Sequence, residues 1–242
     1  MKSWVYLGLI AAMSSLASAQ TKIQTTSGFE VEISGLIDVY YLHNQNGYNL
    51  KPGADSSSSD DDYDTLTFRN YDDTHGDLVL NLFELTLAGS FQNVGFYADL
   101  DYGNFAEQNA PEDQDGVTHQ IGQAFLIYNW GSLQFRAGKM YTNIGFETPK
   151  AYENWNTSRS FAYMIGTPTW HEGLEIKQSF SNGMHWAFYV YDSFDAQRSD
   201  NNEQKTLSAQ VGFRNDKLSW VANSMAGNEA DRNSDSETQN SL

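Results

Sequence analysis

The chain has 242 residues with 31 acidic against 14 basic side chains, a formal net charge of −17, and such a surplus repels a phosphate backbone and excludes nucleic acid as a partner. It contains no cysteine, so it is not a small secreted domain stapled by disulfides. Its one long apolar segment lies at the N-terminus, so beyond it no helix can cross a bilayer and any membrane role must use strands.

Residues 1–19, MKSWVYLGLIAAMSSLASA, run from Lys2 through an apolar segment (Trp4 to Ala12) to Ala17-Ser18-Ala19, the small-x-small pattern of a signal peptidase site. The apolar run falls short of the ~20 residues a helical anchor needs. We read 1–19 as a signal peptide cut between Ala19 and Gln20, and 20–242 as one outer-membrane β-barrel domain. FEVEISGLIDVYY (29–41) then alternates: Phe29, Val31, Ile33, Ile37, Val39 and Tyr41 take one phase, and Glu30, Glu32, Ser34 and Asp38 the other. The alternation recurs at 81–91, 95–103, 132–139, 173–180, 184–192, 205–214 and 218–225. HQIGQAFLIYNW (119–130) is apolar on both phases and is read as a strand without assigned faces. The pattern predicts nine strands and no helix of any length.

In these strands Glu30, Glu32, Asp38, Glu84, Asp99, Asp101, Arg136, Glu175, Lys177 and Arg214 share the phase opposite the aliphatic and aromatic one. A soluble sandwich and a membrane barrel both give half-buried strands of period two. The connections separate them. Long segments follow the first strand (His43 to Gly76), the third (Asn104 to Thr118), the fifth (Met140 to Trp170) and the seventh (Ser193 to Gln204). They alternate with tight turns at Gln92-Asn93-Val94, Asn129-Trp130-Gly131, Ser181-Asn182-Gly183 and Asn215-Asp216-Lys217. In an antiparallel meander this puts every long connection at one end, as in outer-membrane barrels. Most runs approach the ~9–11 residues of a tilted transmembrane strand. Tyr40, Tyr41, Phe91, Phe96, Tyr102, Trp130, Phe180, Trp186, Tyr191, Phe213 and Trp220 lie near strand ends, where interfacial aromatic girdles form. The fold class is therefore all-β, a transmembrane antiparallel up-and-down β-barrel. Nine strands leave the chain on the side opposite its start, and AGNEADRNSDSETQNSL reads as another long loop. Barrels of this kind have an even strand count, so an incomplete barrel is expected, its first and ninth strands unpaired.

The segment GKMYTNIGFETPKAYENWNTSRSFAYMIGTPTWHEGLEI (138–176) resembles the OmpL-like outer-membrane β-barrel porins. The likeness lies in Gly138-Lys139, Gly145-Phe146-Glu147, Asn156-Thr157-Ser158-Arg159-Ser160, and Pro168 followed by His171 and Gly173; it runs from roughly Leu80 to Asp195. It implies a barrel that conducts small solutes, and it brings no catalytic residues.

Residues 145–160 are too rich in rings and charges to move freely in water. They are expected to fold into the barrel mouth as a pore-constricting loop within 140–170. There Arg159 would be held by Glu147 or Glu153, Lys150 would add positive charge, and Trp155 would wedge against the wall; the alternative is a loop packed over the rim. DSSSSDDDYD (55–64) lacks the spacing and glycine of a calcium loop and reads as a solvated external loop. His43, His75, His119, His171 and His185 have no ligand spacing, so no metal, cofactor or catalytic residue is assigned.

If the charged phase faces water inside, seven wall acids face three bases, which favours a weakly cation-selective pore whose preference fades with salt. The expected partners are outer-membrane lipid and small hydrophilic solutes or ions; a homo-oligomer stays open. The competing class is a non-conducting barrel, a scaffold or adhesin. A hydrolase with a lipid-facing Ser/His pair is disfavoured, because His185 lies on the phase opposite Trp186 and Phe188. The mature protein is expected in the outer-membrane fraction with heat-modifiable migration on a gel; recovery as a soluble periplasmic protein would refute the barrel.

Overall fold

The computed structural model describes residues 15–24, 28–43, 69–74, 76–109, 119–194 and 204–227. Ten strands form one sheet: β1 (Ser15–Gln24), β2 (Glu30–Tyr41), β3 (Leu78–Phe91), β4 (Val94–Tyr102), β5 (His119–Trp130), β6 (Leu133–Tyr141), β7 (Trp170–Ser179), β8 (Met184–Tyr191), β9 (Thr206–Arg214) and β10 (Ser219–Ala226). Each pairs antiparallel with its neighbours in sequence, from β1 to β10. The architecture is all-β and up-and-down, and among the described residues the sheet is open, with β1 and β10 as its edges.

Nine of these strands are those the alternation marks, within a few residues at each end. The count is ten rather than nine because β1 has no strong apolar phase to reveal it. Its residues SLASAQTKIQ are mostly small or polar, and its backbone pairs with β2 from Ser15↔Val39 to Gln24↔Glu30. The expected absence of helix also needs correction. Short helices α1 (Asn104–Gln108) and α2 (Phe161–Gly166), with a 3₁₀ turn at Ala151–Glu153, sit in the long connections. These connections lie at one end of the sheet. The tight turns lie at the other, together with the link from β1 to β2.

The two faces of the sheet invert the usual arrangement of a water-soluble protein. Ile33, Ile37, Leu85, Leu87, Leu126, Leu174, Phe188 and Val211 are exposed on one face, whereas Asp38, Glu84, Asp99, Asp101 and Glu175 are buried on the other. Contiguous exposed aliphatic surface with charge turned inward suits a sheet solvated by lipid outside and by water within. Two bulges keep this sorting in register. At the first, Asn81 is inserted opposite Asp38 and Val39, so that both Asn81 and Leu82 turn to the polar face. At the second, Gly122 is inserted opposite Asp99 and Leu100. This shift explains why 119–130 is apolar on both phases: the exposed phase is odd at Ile121 and even at Leu126, Tyr128 and Trp130. Glycine at 122 leaves the acids their place, because a Cβ there would displace the carboxylates of Asp101 and Asp99.

Of the expected girdle, Tyr41, Phe91, Tyr102, Trp130, Phe180 and Trp220 are exposed. Tyr40 and Tyr191 are not part of it. Both are buried on the polar face, where the Tyr40 hydroxyl accepts from Thr74 N at 3.2 Å and the Tyr191 hydroxyl donates to Asn143 Oδ1 at 3.1 Å.

The sheet must also curl. Two residues past the end of β6, Asn143 donates to Ser208 of β9 (3.0 Å) and Asn223 of β10 (3.2 Å). Two residues advance the chain at most about 7 Å, while a flat sheet would place β9 and β10 about 14 and 19 Å from β6. Only curvature toward the polar face closes that gap. Apolar clusters lie on this inner side, one of Tyr71, Leu82, Phe105 and Tyr163 and another of Met140, Ala187, Tyr189 and Tyr191.

Leu174 lies mid-strand on the apolar face and is 55% exposed. Leu174→Arg is expected to destabilise the folded protein in lipid vesicles by roughly 2–4 kcal/mol, read from reversible denaturant unfolding. An unchanged midpoint would show that this face does not meet hydrocarbon.

Candidate functional site: a loop laid across the polar face

Residues 142–169 connect β6 to β7 and lie over the charged face. Their base is closed by Thr142 N donating to Thr169 O at 3.1 Å. His171 steadies it, with Nε2 2.8 Å from Thr142 Oγ1, Nδ1 3.3 Å from Ser193 O, and its ring stacked on Tyr191 at 4.0 Å. Glu172, the neighbour that would make an acid/base pair with His171, is exposed on the opposite phase. Beyond Thr142 the chain divides its contacts between distant strands. Asn143 holds β9 and β10 as above, and its carbonyl accepts from Gln210 Nε2 at 3.4 Å.

Farther on, Asn154 knots residues 148–154 into a rigid unit. Its side chain donates to Thr148 O (2.8 Å) and Lys150 O (3.1 Å) and accepts from Thr148 N (2.8 Å). This knot aims Lys150 at the opposite wall. The side chain is 1% exposed, and its ammonium pairs with Glu84 of β3, with Asp99 of β4 at 2.8 Å and with Asp101 of β4 at 3.4 Å. The Tyr152 hydroxyl donates to Glu84 at 3.3 Å. Glu84 and Asp101 are direct cross-strand partners, and like charges placed so are destabilising. The lysine relieves this. Burial alone would lower its pKa, but Asp101, Asp99 and Glu84 outweigh burial and hold the ammonium well above the ordinary lysine value. The three acids offer oxygens within 4.8 Å of one another, a spacing that would suit a metal cation; the cation among them is Lys150.

The other loop residues do not take the expected partners. Arg159 is buried, but neither Glu147 nor Glu153 holds it. Its guanidinium donates to Pro149 O and to Thr157 O (2.9 Å) and lies over the Tyr71 ring at 4.7 Å, so its hydrogen bonds go to backbone carbonyls while its Nε stays unpaired among the described residues. Glu147 instead accepts from the backbone N (2.9 Å) and hydroxyl of Ser160. Ser160 in turn caps α2 by accepting from Tyr163 N at 3.3 Å. Glu153 is exposed. Trp155 is not wedged against the wall: it is 89% exposed and meets Phe146 edge-on, ring centroids 5.6 Å apart.

The sequence also gave no sign of the residues that brace the loop from its neighbours. Arg69 bridges Asp72 and Ser158 Oγ (2.6 Å). Tyr71 packs on Phe105 of α1 at 4.7 Å and donates to Asn109. They lie in connections without periodicity, where only the aromatic content hinted at packing. The acidic run 55–64 and His75 lie outside the described residues.

By the alternation of their strands, all ten charged residues picked from the sequence share the polar face, but most are engaged. Arg136 pairs with Glu175, Lys22 with Glu32 at 2.9 Å, and Glu32 also accepts from Gln20. Gln24 donates to Glu30 at 2.9 Å and Asn81 to Asp38 at 2.7 Å. Arg214 is exposed and Lys177 half-buried near the tight-turn end. A cavity of about 650 Å³ opens there, lined by Lys22, Glu30, Glu32, Tyr97, Phe125 and Arg136 among others.

An open antiparallel meander with charge inward, apolar side chains outward and a long loop on the charged face defines a porin-type β-barrel protein. The chain belongs to the family described as "Putative beta-barrel porin-2, OmpL-like", whose model matches residues 30–242, well beyond the stretch where the resemblance is legible by eye. No curated protein and no solved structure matches the chain.

Lys150→Met leaves three buried carboxylates without their cation, and breaking such a pair costs roughly 3–5 kcal/mol. The expected result is release of the loop, measured as proteinase K cleavage within 142–169 in a barrel that still shows its folded gel band. Because the lysine pKa is raised on folding, the lysine's contribution to docking is fully present below its unfolded value of about 10.4 and is lost only as pH rises through the higher folded one. The wild-type loop should therefore stay protected up to about pH 10; loss of protection between pH 8 and 10 would contradict the pairing.

Proposed function

We propose that the protein is a porin-like channel of the bacterial outer membrane, exported with cleavage between Ala19 and Gln20, a cut that leaves only residues 20–24 of β1 in the mature protein. Small hydrophilic solutes would diffuse through it passively, with the 140–170 loop as its constriction and a weak preference for cations. The observation that carries this reading is the Lys150 contact, in which the loop meets acids of the charged wall. The exposed aliphatic face supports a lipid environment, and the cavity near the tight turns leaves room for solute below the loop.

The selectivity follows from the same contact. Three carboxylates face one ammonium where the loop meets the wall, an acidic surplus that favours cations beside the loop. The pairs Arg136–Glu175 and Lys22–Glu32 cancel charge farther down, which keeps the preference weak. A second reading, a non-conducting barrel serving as scaffold or adhesin, is favoured by one feature: the apolar cluster of Tyr71, Leu82, Phe105 and Tyr163 fills space beneath the loops.

Planar-bilayer recording of the full-length protein distinguishes them. A conducting pore should show a reversal potential favouring potassium in a KCl gradient, with the preference fading as salt rises and the Debye length shortens from about 10 Å at 0.1 M. Deleting Lys150 to Ser158 should raise the conductance. Preference for chloride would overturn the selectivity, unchanged conductance in the deletion variant would place the loop outside the pore, and absence of conductance would favour the scaffold.

A further inference from the structure

The loop carries a second feature that the Lys150 contact does not use. Phe146 and Trp155 are 74% and 89% exposed in a loop that buries Lys150, Arg159 and Tyr163 and also exposes Phe161 and Ile165. These rings are not on a slack tip. Trp155 follows Asn154, whose side chain makes the three hydrogen bonds of the knot, and Phe146 follows Gly145, which turns with φ of 92° where a Cβ would press on Thr167 at 3.2 Å. The rings stand at 89° to each other. One ring's edge meets the other's face, which leaves a right-angled corner beside the contact, and Glu147, Asn156 and Tyr163 line the same cavity of about 410 Å³.

From this corner we infer a binding site for quaternary ammonium solutes. An aromatic face carries the negative end of the ring quadrupole, and a cation within about 6 Å of the ring centroid is attracted to it. Two faces at a right angle contact a rounded trimethylammonium group on two sides at once. Glu147 adds a formal negative charge to the wall, and among the described residues no Lys or Arg lines the cavity, so an anion has nothing to bind. The substituted ammonium fits better than a primary amine. A quaternary ammonium presents methyl groups to the rings and has no N–H donors to satisfy, whereas a primary ammonium must find acceptors for three. The size agrees, since the cavity lies at the small end of the ~300–1,000 Å³ range of ligand sites. The occupant is a free solute rather than a lipid headgroup, because the loop covers the polar face and the exposed aliphatic face lies on the other side of the sheet.

The site deepens the channel reading by naming a solute class, and it rests on that reading only for its place on the solute's path. The test is calorimetry on the full-length protein in a maltoside detergent, titrated with choline chloride and with its neutral isostere 3,3-dimethylbutan-1-ol. Choline should bind about tenfold more tightly than the isostere, a difference of about 1.4 kcal/mol and of the size expected for a cation over aromatic faces. Trp155→Leu should weaken choline about tenfold while leaving the isostere within twofold, and Glu147→Gln should weaken choline severalfold. Trp155 is so exposed that its replacement should leave heat-modifiable migration intact; if it does not, Phe146→Leu gives the same comparison. Equal binding of choline and isostere, or choline binding indifferent to Trp155 and Phe146, would overturn the site, as would uptake of phosphocholine vesicles without binding of free choline. No conductance is measured, so a barrel that fails to conduct would leave this result standing, and a conducting barrel that fails to discriminate would refute the site alone.

Discussion

A single ammonium group, that of Lys150, sits among Glu84, Asp99 and Asp101, and the arrangement of the loop over the sheet depends on it. Three carboxylates gathered on two adjacent strands could not stay charged and dry without a cation. Several distant features serve this contact. The Gly122 bulge removes the side chain that would occupy the acids' space, Asn154 fixes the backbone carrying the lysine, and Tyr152 closes one side of Glu84. The position of the loop against β3 and β4 is therefore set by one buried charge.

The same contact connects the fold to the proposed activity. In a soluble protein the acids of the inner phase would face water unaided and the aliphatic phase would form a core. Here the aliphatic phase is exposed, so the inner surface has to accommodate charge, apolar packing and a solute path together. The structure separates them. Tyr71, Leu82, Phe105 and Tyr163 pack beneath the loops, the acids and Lys150 lie beside them, and the open cavity lies toward the tight turns.

How much of this was legible in the sequence depended on period. A strand whose two phases differ in polarity declares itself, as β2, β3, β4 and β6 to β10 do. β1 did not, since SLASAQTKIQ has no phase of large residues, and β5 hid its faces because the bulge at Gly122 switches the phase midway. The aperiodic loop was legible in composition only. Its density of partners correctly marked it as packed, and Lys150 was recognised as relevant, but nothing in the order of residues tells which way a side chain turns. Arg159 found backbone carbonyls instead of Glu147 or Glu153, and Trp155 turned outward. Tyr40 and Tyr191 lie near strand ends as girdle residues do, but parity places them with the inner residues.

Seen mechanically, the loop is a strut. One end bears on β3 and β4 through Lys150, and the other on β9 and β10 through Asn143, so it spans the curled sheet much as a crossbar braces a hoop. Its two ends resist deformation differently. The charged end fails as a unit, at roughly 3–5 kcal/mol, because a half-broken pair leaves bare charge in a dry place. The Asn143 end rests on neutral hydrogen bonds of about 1 kcal/mol each, which can yield to water singly. A squeeze on the wall is thus absorbed in small steps on the β9–β10 side while the β3–β4 side stays rigid, and the hoop flexes about one fixed quadrant.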